Sequence, residues 1–105
     1  MAEFENVLPA LNLALAKRGY TDLTPVQEAI LDPKHRDADL LVSAQTGSGK
    51  TVAFGLSLAP TLLGDAEKFE YAPAPLALVV APTRELAMQV KSELEWLYAL
   101  TGAFV

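Results

Sequence analysis

Eight consecutive residues, Ala44-Gln45-Thr46-Gly47-Ser48-Gly49-Lys50-Thr51, have the types and spacing of a phosphate-binding loop. Two glycines allow the backbone to curl until successive N–H groups face the same anion. A lysine at position 50 brings a point charge to the β- and γ-phosphates of a nucleotide, and the hydroxyl of Thr51 is placed to ligate Mg²⁺. A helix starting here would add the positive end of its dipole and its unpaired N–H groups. The generic pattern has a glycine where this chain has Ala44. The plainer alternative is a Gly/Ser-rich turn with a stray lysine.

The flanks decide between the two. Before the loop, Asp39-Leu40-Leu41-Val42-Ser43 is a short apolar run that predicts a buried strand. After it, Val52 to Ala59 is long enough for a helix, with Pro60 near its end and Gly64 as a stop. Strand, glycine loop and helix in that order is the context the motif requires.

The remaining elements follow from local signals. Asn6 is a candidate cap for a helix over 7–18, with Pro9 in its first turn, an apolar stripe of Val7, Leu8, Leu11 and Leu15, and Gly19 just past its end. Thr24-Pro25-Val26-Gln27 predicts a second helix with a capping box, ending near Leu31 before Pro33. Residues 64–75 are a mixed connection. Leu76 to Ala81 predicts a second buried strand, and Thr83 caps a helix from Arg84 to about Leu100 on which Leu86, Val90, Leu94 and Leu97 recur at helical spacing. Gly102 breaks it, and 103–105 looks like a third strand beginning. This alternation implies a parallel sheet with helical crossovers, of the α/β class. The expected division is a region over 1–38 and a β-α-β-α unit over 39–105, and the chain reads as the N-terminal piece of a larger protein.

Bulk properties narrow the function. The chain has 105 residues, is 51% hydrophobic and lacks cysteine, which excludes disulfides and thiolate metal sites. Its net charge of −5 argues against a generally sticky nucleic-acid binder but not against a local contact. Lys34, His35 and Arg36 form a small basic cluster, expected as a solvated loop. No secretory signal and no membrane-spanning stretch are apparent, so the expectation is a cytoplasmic protein without a membrane partner.

Three segments line up in order: Gly19 to Gln27 with Phe4 upstream, Ala44 to Thr51, and Pro82-Thr83-Arg84-Glu85-Leu86-Ala87. Together they resemble the N-terminal part of a DEAD-box ATP-dependent RNA helicase, namely its Q motif, motif I and motif Ia. Ala44 in place of glycine is itself the form that family uses. The resemblance implies a partial RecA-like domain with ATP, Mg²⁺ and RNA as its ligands. It implies that Gln27 reads adenine, that Tyr20 stacks on the base with Phe4 supporting the pocket, and that Thr24 ties this segment to the phosphate loop. It further implies Lys50 and Thr51 in catalysis, and RNA backbone contacts at Pro82, Thr83 and Arg84.

Each of these residues has a plainer reading. Gln27 completes a capping box, Tyr20 packs as a turn aromatic, and Arg84 is a first-turn residue, although a cation there opposes the helix dipole. Trp96, Tyr98 and Met88 are expected as packing residues. The Asp-Glu-Ala-Asp motif that gives such helicases their name is absent, as is a second RecA-like domain. The chain alone is therefore expected to bind adenine nucleotide weakly, without hydrolysis. A monomer is expected, with a risk of aggregation through an open sheet edge. Another phosphate-loop enzyme, or a non-catalytic folding unit, are the competing readings.

Overall fold

The computed structural model describes residues 4–35, 38–45, 47, 49–64, 68–69 and 74–105. Among these are four α-helices: α1 (Pro9–Lys17), α2 (Pro25–Leu31), α3 (Lys50–Leu63) and α4 (Arg84–Leu97), with a 3-10 turn over Pro33–His35.

Helix α1 begins later than its apolar pattern suggests. Leu8 is its N-cap, without a side-chain cap, and Pro9 takes the first helical position, where its fixed φ and missing N–H cost nothing. Asn6, the expected cap, instead stands in the left-handed region at φ 64°. The other end is as expected. Gly19 at φ 91° lets its N–H reach the Ala16 carbonyl while Tyr20 N–H reaches the Leu15 carbonyl, the paired bonds of a Schellman motif.

Helix α2 starts with the predicted capping box. The Thr24 hydroxyl accepts from Gln27 N–H, and Gln27 Oε1 accepts from Thr24 N–H. Helix α4 is capped by Thr83, whose Oγ1 accepts from Leu86 N–H at 3.1 Å. It ends at Leu97 rather than Leu100, and residues 98–102 continue as turns that include Gly102 at φ 77°.

Helix α3 is the hub, packing on α2 from one side and α4 from the other, while α1 packs on α4. Leu11, Leu15, Leu31, Val52, Leu56, Ala59, Leu63 and Leu97 are buried together. Gly55 allows the closest approach of α3 and α4: a Cβ there would lie 2.6 Å from Leu97 Cδ2 and 2.9 Å from Leu94 Cδ2. Tyr98 is buried beside it and donates its hydroxyl to the Gly55 carbonyl.

The expected parallel sheet is not formed. No described residue is in a strand, and 39–43, 76–81 and 103–105 run without ladder pairing. A strand exists only beside a neighbour that takes up its N–H and C=O groups. The three apolar runs do not supply each other with one. Leu41 and Phe104 are fully exposed, and Leu78 and Val80 nearly so. Consequently the stripe on α4 is only partly covered: Leu97 is buried, but Leu86 is exposed. An open apolar groove of about 810 Å³ lies between α3, α4 and segment 74–81. No helix is long and apolar enough to cross a membrane among the described residues.

Candidate functional site

The glycine loop leads into α3. Gly47 and Gly49 both take positive φ, 85° and 82°, which side-chain-bearing residues rarely adopt. Gly49 is the N-cap of α3, so no side chain caps the helix, and its first turn carries no acidic residue. The N–H groups and positive dipole end of α3 are therefore left for an anion from outside. Lys50, the first helical residue, folds back across the loop and donates Nζ–H to the Ala44 carbonyl at 2.8 Å. This bond uses one of three ammonium donors and leaves two for phosphate oxygens. Thr51 lies in the same first turn, half-buried, and Gln45 is exposed. Thr46 and Ser48 lie outside the described residues.

Gln27 stands behind the loop and is fully buried. Besides its capping-box bond it donates Nε2–H to the Gly49 carbonyl at 3.2 Å, a link across 22 residues. Segment 20–27 is thus tied to the loop through Gln27, and the Thr24 hydroxyl lies close to position 49. The Gln27 amide binds protein on both its atoms. Each retains a further bond in principle, one lone pair on Oε1 and one hydrogen on Nε2.

Tyr20 is half-buried, with its ring 6.0 Å from that of Trp96 on α4. Arg18 lies 5.0 Å over the same indole, whose Nε1–H donates to Glu93. Phe4 is half-buried against the core. Asn12, which stands out in no motif, holds Phe4 by its backbone. Its legible signal was position: with Leu8, Leu11 and Leu15 it occupies the i, i+3, i+4, i+7 stripe, where an amide needs a partner.

Pro82, Thr83 and Arg84 are exposed at the start of α4, remote from the loop in sequence. This helix end suits an anion less than that of α3. Thr83 already caps it, and Glu85 in the first turn offsets the positive dipole end that would attract an anion. Lys34 pairs loosely with Asp32 at 3.9 Å on the surface, and Arg36 lies outside the described residues. No cluster of three or more His, Cys, Asp or Glu could hold a metal among the described residues. The apolar groove is not lined by any residue of 44–51.

Among the described residues, fold and site together define a helical unit in which a glycine loop leads into a helix N-terminus that no side chain caps. Comparisons with known proteins give this class a family. The model of DEAD/DEAH box helicases matches residues 24–105. DEAD-box ATP-dependent RNA helicase 9 of Oryza sativa subsp. japonica is 44% identical over 87 residues, covering 83% of this chain and 14% of that protein. DEAD-box ATP-dependent RNA helicase 53 of the same plant is 48% identical over 79 residues, covering 75% and 13%. Among solved structures, the RNA helicase Prp28 from Chaetomium thermophilum bound to ADP superposes on the whole chain with a TM-score of 0.81 at 36% identity, over 26% of its own length. The chain belongs to the DEAD/DEAH box helicase family. It spans about one seventh of the length of the curated relatives it matches.

Proposed function

We propose that this chain is the ATP-binding portion of an ATP-dependent RNA helicase, one that couples ATP hydrolysis to local RNA unwinding. The observation that carries this reading is the uncapped start of α3 behind two positive-φ glycines, with Lys50 folded over the loop. Phosphates of ATP would rest on residues 44–51, held by the α3 N–H groups and the Lys50 ammonium. Thr51 would hold Mg²⁺ through its hydroxyl, together with phosphate oxygens. The metal would neutralise phosphate charge. The base would stack on Tyr20, with Phe4 supporting the pocket, and be read by the Gln27 amide through the lone pair and hydrogen left over from its protein bonds. A glutamine amide matches the adjacent donor and acceptor of adenine. RNA backbone would lie against Pro82, Thr83 and Arg84. The sequence lacks an Asp-Glu-Ala-Asp motif and no acidic cluster completes a metal site among the described residues, so the 105-residue chain is expected to bind nucleotide weakly without hydrolysing it.

A second reading has one observation in its favour. Gln27 is fully buried with both amide atoms engaged, as a structural glutamine in a base-indifferent phosphate-loop protein would be. Titration with Mg-ATP and Mg-GTP, followed by backbone amide NMR, separates the two. The helicase reading expects ATP to shift residues 45–51 and the surroundings of Tyr20. It expects Lys50→Ala to abolish the loop shifts and Gln27→Ala to abolish the preference over GTP. Equal response to ATP and GTP would favour the second reading, and silence with both would leave a non-catalytic folding unit.

A further inference from the structure

We propose that Asn12 is a positioning residue for the nucleotide site, its amide clamping the backbone of Phe4 so that this aromatic stands ready for an adenine base. The inference rests on the nucleotide-binding reading above and adds to it a residue outside every motif of the chain.

The clamp is complete in its hydrogen bonds. Asn12 Oδ1 accepts from Phe4 N–H at 2.9 Å, and Asn12 Nδ2–H donates to the Phe4 carbonyl at 3.2 Å. The second Nδ2 hydrogen goes to the Val7 carbonyl at 3.0 Å. One side chain thus takes both backbone groups of a residue eight positions away, as a neighbouring strand would. Two carbonyl acceptors and one N–H donor also fix which end of the amide is nitrogen. Asn12 is buried in the middle of α1, on the face that Leu8, Leu11 and Leu15 make apolar. An unpaired amide there would be costly, so the site is built for this partner.

The clamp acts on a segment that lies outside regular structure. Residues 4–8 precede α1 without regular structure, and the chain turns back at Asn6 with φ 64°. Phe4 is half-buried against the core cluster, so its ring is docked but not enclosed. Without Asn12, the N–H and C=O of Phe4 lose these two hydrogen bonds and the ring samples undocked positions. Apparent affinity for a base that needs the docked ring then falls by the fraction of time it is docked. That loss cannot exceed the loss from removing the ring itself.

The test is a titration of the 105-residue chain with Mg-ADP and with inorganic tripolyphosphate, in the natural sequence and in Lys50→Ala, Phe4→Ala, Asn12→Leu and the Phe4/Asn12 double variant. Amide exchange at residue 4 is followed in parallel. Lys50→Ala should weaken both ligands. Phe4→Ala should weaken ADP roughly fivefold, as loss of a base-contacting aromatic does, and leave tripolyphosphate unchanged. Asn12→Leu should reproduce this ADP-selective loss in part, speed exchange at residue 4, and add nothing in the double variant. If Phe4→Ala weakens ADP and folded Asn12→Leu does not, the positioning role alone is overturned. Equal loss for ADP and tripolyphosphate in Asn12→Leu marks general loosening and also overturns it. Should the chain bind neither ligand, the nucleotide-binding reading fails and takes this role with it. If Asn12→Leu does not fold, Asn12→Asp decides: it keeps the acceptor for Phe4 N–H and loses both donors. An ADP-selective loss then supports the clamp, and unchanged ADP affinity overturns it.

Discussion

A Cβ at position 49 would run into the Gln27 amide nitrogen, whereas one at position 47 would meet nothing within 4 Å. Both glycines stand at positive φ, so an alanine at either costs about 1–2 kcal/mol of backbone strain. Only at 49 must Gln27 also move, giving up its bond to the Gly49 carbonyl while buried. Gly49→Ala is therefore expected to destabilise the fold more than Gly47→Ala, by on the order of 1–3 kcal/mol. Urea denaturation of both variants measures the difference, and equal midpoints would show that the Gln27–Gly49 link does not form in solution. At this scale, local chemistry was legible and distant chemistry was not. Thr24 and Gln27 are three residues apart, and the capping box they form follows from residue type alone. The bond from Gln27 to Gly49 crosses 22 residues and depends on how α2 docks against α3. Tyr20 is similar: the Schellman turn before it is written in Gly19, but its pairing with Trp96 needs α1 to lie on α4.

The contact between α3 and α4 is an element built around a missing side chain. Gly55→Ala would drive a methyl into Leu97 and Leu94, overpacking that costs about 1–3 kcal/mol. A thermal melt should show a clear fall for Gly55→Ala and little change for alanine at exposed Ser92 on the outer side of α4. Tyr98 makes the same contact sensitive to alkali. Burial removes water from its phenol and pushes its pKa up to about 12 from 10.0. Since the folded state holds this proton more tightly than the unfolded state, stability is intact below pH 10 and falls as pH rises toward 12. Tyr98→Phe should lower stability at neutral pH by about 1 kcal/mol through loss of the bond to Gly55, and should flatten the alkaline decline. Stability curves at pH 8 and pH 11 for the two proteins check both signs. Element boundaries were legible where a cap or glycine marks them, as at Thr24, Thr83, Gly19 and Gly64. They shifted where two signals compete: Pro9 takes the first helical position and displaces Asn6 from the cap.

Over the whole molecule, helices and apolar runs come out differently because they satisfy their backbones differently. A helix pairs its N–H and C=O groups internally, so α1 to α4 form wherever the pattern is right. An apolar run such as Leu76-Ala77-Leu78-Val79-Val80-Ala81 needs another segment, and local pattern does not say which one or whether it is near. The run is entirely apolar, free of charge, proline and glycine, and exposed at Leu78 and Val80. It flanks an apolar groove of about 810 Å³ that extends to Phe104 and Val105. Such a segment pairs readily with a second copy of itself. The chain should therefore associate as its concentration rises. A charge at an exposed strand position blocks this pairing without disturbing a core to which the residue does not belong. Leu78→Lys and Val80→Lys are thus expected to shift the chain toward monomer in sedimentation or light-scattering measurements, while changing its unfolding free energy by no more than about 0.5 kcal/mol. Loss of stability on the same scale as a core substitution would mean that 76–81 is packed in solution after all. The groove would then be closed by the chain's own residues.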